Sequence, residues 1–152
     1  MPQEPRLPDY LSHYPLKYVE YFDHDGTYAG CTDAHYISFG VSTWSDQDLS
    51  LKVWRKGGRD DKWLRQSEEL PLHRPIDLTL LLLFVLDQST QMPPGTLEKQ
   101  PNSIEIKSNP PHSPRTPSIE QYDNRPGAAG FIQRRLNSLY EKLRDLKDKG
   151  LI

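Results

Sequence analysis

Leu80 to Leu86 contains no polar side chain, and the apolar run that it completes begins at Ile76. No other stretch constrains the fold as strongly. The run is about half the length a helix needs to cross a bilayer, so it predicts a buried core helix rather than a membrane span. Pro71 and Pro75 suit a first helical turn, where a missing amide hydrogen costs nothing. The helix is expected to start between Leu72 and Ile76 and to end near Gln88. Its apolar residues point in every direction, so it needs covering on most sides. A charged entrance precedes it, with Glu68, Glu69, His73 and Arg74.

A sheet is expected to cover one side of that helix. Leu16 to Phe22 is rich in aromatic and β-branched residues and predicts a first strand, ended by the Asp25-Gly26 turn. From Tyr36 to Trp44 the chain alternates, placing Ile37, Phe39 and Val41 on one face and Ser38, Gly40 and Ser42 on the other. Leu49 to Arg55 alternates again, with Leu49, Leu51 and Val53 inward and Ser50, Lys52 and Trp54 outward. The two runs predict an antiparallel hairpin, and Lys62 to Gln66 a third strand of the meander. On the other side of the core helix, Ile132, Leu136, Leu139, Leu143 and Leu146 are spaced as one face of a second helix, closed by Gly150. The expected class is α+β: an antiparallel three- or four-stranded meander packed against a central apolar helix and a C-terminal amphipathic helix.

The chain divides by composition. Residues 1–15 carry Pro2, Pro5, Pro8 and Pro15 and predict an extended arm. Residues 16–88 form the α+β core. Residues 89–128 hold eight prolines and predict a mobile, partly polyproline segment, with an edge strand at 103–107. Within it, Pro111 and Pro114 have the P-x-x-P spacing of a ligand for an aromatic groove. Residues 129–150 form the helix that completes the core. The lone Cys31 precludes an internal disulfide and suits a reducing cytosol. The N-terminal residues lack the apolar region of a secretory signal. Net charge is -2, which gives no electrostatic prior for nucleic acid or an anionic membrane. A cytoplasmic protein is expected, with no membrane association.

Three polar clusters are candidates for chemistry. His24, Asp25, Asp33 and His35 could ligate a divalent metal, although their spacing matches no defined motif and suits turns equally well. No other cofactor is expected. Glu69, His73 and Arg74 could form a catalytic group, because a carboxylate four residues before a histidine can orient it as a general base. The competing reading is helix capping. Lys52, Trp54, Arg55, Lys62 and Trp63 interleave cations with tryptophan, as nucleic-acid surfaces do, but Asp60 and Asp61 interrupt the patch.

The pieces Asp-Gly-Thr-Tyr-Ala at 25–29, Thr-Asp-Ala at 32–34, Leu-Lys-Val-Trp-Arg at 51–55 and Arg-Gln-Ser-Glu-Glu-Leu-Pro-Leu-His-Arg at 65–74, with Asp77-Leu78, resemble a family of small bacterial proteins catalogued as a domain of unknown function. The resemblance runs from Leu16 to Leu86, with the C-terminal helix as a further candidate part, and is most specific at 65–74. Pro75 and the proline-rich 89–129 segment depart from it. It implies a bacterial cytoplasmic protein and assigns no activity.

The leading functional expectation is therefore a non-enzymatic regulatory or protein-interaction module with an unidentified protein partner. Leu136, Leu139, Leu143 and Leu146 offer a homodimer seam. The alternatives are a small metal-dependent hydrolase or nuclease using the Asp/His cluster, and nucleic-acid binding through the hairpin face.

Overall fold

The computed structural model describes residues 13–43, 45–57, 62–63, 70 and 72–152. The protein is α+β. Strands β1 (Tyr14–Glu20), β2 (Ala34–Val41), β3 (Leu49–Gly57) and β4 (Lys62–Trp63) precede helix α1 (His73–Leu86). Three short strands follow: β5 (Gln91–Met92), β6 (Ile104–Glu105) and β7 (Lys107–Ser108). Helices α2 (Ile119–Asp123) and α3 (Phe131–Asp148) end the chain. The molecule divides into two compact units, residues 1–116 and 117–152. Among the described residues, no helix is long and apolar enough to cross a membrane.

In the first unit an antiparallel sheet has the strand order β4-β3-β2-β1-β7. β2 is its middle strand and pairs through most of its length with both neighbours, Ile37 facing Val19 on one side and Val53 on the other. β7 adds the outer edge; where the sequence predicts one edge strand at 103–107, the chain forms β6, which pairs with β5, and then β7, which pairs with β1. Gly40 is required by a close approach: a Cβ there would overlap the Tyr14 carbonyl, beside the register shift between Pro15 and Lys17. A strand glycine with backbone against it is the expected use of the residue.

Alternation along β2 predicts one apolar and one polar face, yet every residue from Tyr36 to Val41 is buried. On one face Val19, Ile37, Phe39, Val41 and Val53 form the core, and α1 lies against β2 and β3. The other face carries a second aromatic layer, in which Tyr36 and buried Trp54 pack with Tyr18 and Trp63. Trp54 is predicted outward but is 1% exposed, because its indole N–H donates to Ser38 Oγ at 2.7 Å. His13 completes the layer, its Nε2 3.0 Å from Ser38 Oγ and its Nδ1 2.9 Å from Ser50 Oγ. Burial, followed by the nearby Lys52 ammonium, lowers the His13 pKa to about 3, so the ring is neutral.

The core helix falls where the apolar run predicts it, but its burial differs from expectation. Of its apolar residues only Leu78 and Leu81 are buried. Leu72 just before it is 89% exposed, Ile76 61%, and Leu83 and Leu86 41% each. Beyond α1, Gln100 organises the turn from Met92 to Asn102: its amide donates to the Met92, Pro93 and Asn102 carbonyls and accepts from the Leu97 N–H. One buried side chain thus satisfies four backbone groups of a segment poor in regular structure.

In the second unit, Ser118 and Gln121 make a reciprocal capping box at the start of α2. Gly130, at the N-cap of α3, has no side chain to offer. Asp123, the last residue of α2, supplies the missing acceptor to the amides of Ile132 at 2.6 Å and Gln133 at 3.1 Å. α3 has no buried residue, and its seam residues Leu139 and Leu143 are among the exposed large hydrophobics.

Candidate functional site

The sharpest concentration of polar chemistry in the first unit centres on Asp25. Two 3-10 turns, Phe22–His24 and Gly26–Tyr28, place it between β1 and β2 with a fully buried side chain. The start of α1 faces it. Oδ1 accepts from His73 Nε2 at 2.6 Å and Arg74 Nε at 3.1 Å; Oδ2 accepts from Thr32 Oγ1 at 2.6 Å and Arg74 Nη2 at 2.8 Å. An ionised carboxylate has about four lone-pair sites, so its acceptor capacity is filled. Burial alone would raise the Asp25 pKa, but the hydrogen bonds from Arg74, Thr32 and His73 hold it at about 2. The same bonds raise the pKa of Arg74.

The network extends in two directions. Arg74 Nη2 lies 3.7 Å from Asp33 Oδ1, and Asp33 Oδ2 accepts from Arg55 Nε at 2.9 Å and Nη2 at 2.7 Å. One turn along α1, Asp77 Oδ2 accepts from the Tyr21 hydroxyl at 2.5 Å. Burial raises the pKa of Asp77 and, with the Asp77 bond, raises that of Tyr21 far above its usual value. Gly26 has φ +52, and a Cβ there would come within 2.8 Å of the His73 ring. The Asp25-Gly26 pair therefore serves both the turn and the close seat of the imidazole.

The sequence-predicted residues separate into those that meet and those that do not. Asp25 and Asp33 from the proposed metal set converge with His73 and Arg74 from the proposed catalytic set. His24 instead directs Nδ1 to the Glu98 carbonyl at 3.1 Å, and His35 packs on Phe22 and Trp63. Among the described residues, no three histidine, cysteine, aspartate or glutamate side chains are grouped to hold a metal. A metal bound through Asp25 would have to displace one of its four donors. Glu69 lies outside the described residues. Of the nucleic-acid set, Lys52 lies over the Trp54 ring at 4.1 Å, Trp54 is buried, Arg55 is paired with Asp33, and Trp63 packs on Trp54. Trp54 thus offers no free face for a base to stack on.

Sequence reasoning missed Thr32, Tyr21 and Asp77. Thr32 and Asp77 lie inside the quoted family-like stretches, and that was the only available signal. Nothing local distinguishes Tyr21 from the neighbouring aromatics.

His73 keeps one feature of a general base. It is 28% exposed, and its Nδ1 has no hydrogen-bond partner among the described residues. Donation from Nε2 to Asp25 makes Nδ1 the acceptor nitrogen of the neutral ring.

No curated protein and no solved structure matches the chain. A family model described as a family of unknown function does match, over residues 6–92, which covers strands β1 to β5, the Asp25 network and α1. That span is more than half of the chain, and the protein belongs to this family, DUF6530.

Proposed function

We propose that the protein is a non-enzymatic interaction module that takes a protein partner on the outer face of α1. The observation that carries this reading is the exposed row Leu72, Ile76, Leu83 and Leu86. These residues recur at helical spacing, and a contiguous apolar face of this kind is the usual mark of a protein-binding surface. The Asp25 network supports the reading from below. It fixes the first turn of α1 to the sheet through Arg74 and His73, and so holds the row rigid. A preorganised surface loses less freedom on binding.

The test is affinity isolation from cell extract with the wild-type chain and with Ile76→Glu/Leu83→Glu, followed by reconstitution with the purified partner. Both substituted side chains are exposed, so melting temperature should be unchanged while the partner is lost. Recovery of the same partner by the double variant would refute the reading.

A second reading is a hydrolase in which Asp25 orients His73 as a general base, favoured by the 2.6 Å bond and the open Nδ1. His73→Gln separates the two: its amide can still donate to Asp25 and Arg74 still anchors the helix, so partner binding should stay intact under the first reading, while turnover should be abolished under the second.

A further inference from the structure

The corner between α2 and α3 lies beyond the span matched by the family. There a recess of about 390 Å³ is lined by Arg125, Phe131, Arg134, Arg135 and the Pro126–Ala128 turn. Its volume falls in the range of roughly 300–1,000 Å³ typical of small-molecule sites.

Three guanidinium groups line this one recess. The Arg125 and Arg135 Cζ atoms lie 5.1 and 5.3 Å from the Phe131 ring centroid, so two like charges share one aromatic neighbour. Main-chain carbonyls hold all three in place. Arg125 Nη1 donates to Tyr122 O at 2.7 Å, Arg135 Nη1 to Phe131 O at 3.2 Å, and Arg134 to the carbonyls of Ala129 and Ala128. Among the described residues none of the three is paired with a carboxylate. Asp123, the carboxylate nearest in sequence, is engaged by the α3 amides. A guanidinium carries five N–H donors, so most of the donors here have no acceptor among the described residues. Gathering three cations in a protein of net charge -2, with no counter-ion among the described residues, is a local electrostatic cost that an anion would relieve.

We propose that this recess binds a phosphomonoester carried on a small organic group. A phosphomonoester presents three acceptor oxygens and nearly two negative charges at neutral pH, which matches three guanidinium forks better than a carboxylate does. The recess has room for more than the phosphate itself. The same chemistry is offered by a soluble phosphorylated metabolite and by a monoester lipid headgroup.

The experiment follows the arginine Nε–Hε NMR signals of the full chain at constant ionic strength. Glycerol 3-phosphate is titrated in one arm and phosphatidylcholine vesicles containing phosphatidic acid in the other. Saturable shifts of the Arg125, Arg134 and Arg135 signals are expected with glycerol 3-phosphate, weakened about tenfold or more in Arg134→Gln/Arg135→Gln and unchanged in Lys142→Gln. Binding to the vesicles alone assigns the phosphate to a lipid headgroup. If the double variant melts early, Arg135→Lys decides, since it keeps the charge but loses the fork. The proposal is overturned if neither arm binds, if sodium chloride of equal ionic strength reproduces the shifts, or if the folded variant titrates like wild type.

Discussion

Arg74 in the first unit and Arg125, Arg134 and Arg135 in the second are the same side chain in opposite circumstances. Arg74 is nearly buried and holds a carboxylate with two of its nitrogens. The other three donate to backbone carbonyls, lie beside aromatic rings at Arg125 and Arg135, and line an open recess. The difference lies in what the nearby aspartate does. Asp25 starts a 3-10 turn, but its side chain caps no amide there and instead collects Arg74, His73 and Thr32. Asp123 caps a helix whose N-cap is glycine, and among the described residues Arg125, Arg134 and Arg135 are left without a carboxylate partner. A paired arginine is a structural strut; an unpaired cluster is available to a ligand.

The strongest way to break this comparison is Arg74→Ala. It leaves the Asp25 carboxylate buried with its main cation removed, and stability should fall by about 3–5 kcal/mol in chemical denaturation. Arg135→Gln in the second unit should change stability by less than about 0.5 kcal/mol. Equal effects at the two positions would mean that the arginine cluster is structural as well.

Acid should separate charged from neutral burial. Asp25 has a folded-state pKa of about 2, below the ordinary carboxylate value of 3.8. Its contribution, about 2 kcal/mol, is present above 3.8 and is lost as pH falls toward 2. His13 acts in a higher window. Its folded-state pKa of about 3 lies below the unfolded value of 6.5, so between the two the unfolded chain binds more protons. Stability is full above 6.5 and declines as pH falls, by about 2 kcal/mol at pH 5. Denaturation curves from pH 7 to 4 should show this slope in the wild type and a flatter one in His13→Gln. A variant slope as steep as the wild type would place the effect in other groups.

The smallest expected effect among the buried groups is at Asp123. Replacing it by alanine removes the acceptor for the Ile132 and Gln133 amides and should lower stability by about 1 kcal/mol, as loss of a helix cap does. Fraying would appear as faster amide exchange at the first turn of α3, with the sheet unaffected.

Much of the fold is legible in the residues. The apolar run from Ile76 gives a helix because it is longer than a buried strand and rich in leucine rather than β-branched residues, and the turn chemistry at Asp25-Gly26 ends the first strand region. The polar site is only half legible. Asp25, Asp33, His73 and Arg74 stand out as titratable residues, but the sequence divides them into two sets 48 positions apart. His24 and His35 look like equal members of the first set and are not. Trp54 reads as outward because alternation reports which side of a strand a residue takes, not whether that side is covered.

By itself, then, the sequence determined the local choices: where strands alternate, where the core helix runs, which turn needs glycine, and the spacing of the α3 seam. These follow from periods of two and 3.6 residues and from backbone sterics, which act over a few positions. Only the tertiary structure decided that β2 is buried on both faces, that α1 keeps Leu72, Ile76, Leu83 and Leu86 exposed, and that Asp25 finds Arg74 while Asp123 turns to a helix end. Those outcomes depend on distances between residues far apart in the chain. A carboxylate four residues from a histidine or forty-eight away is equally available once the chain has folded.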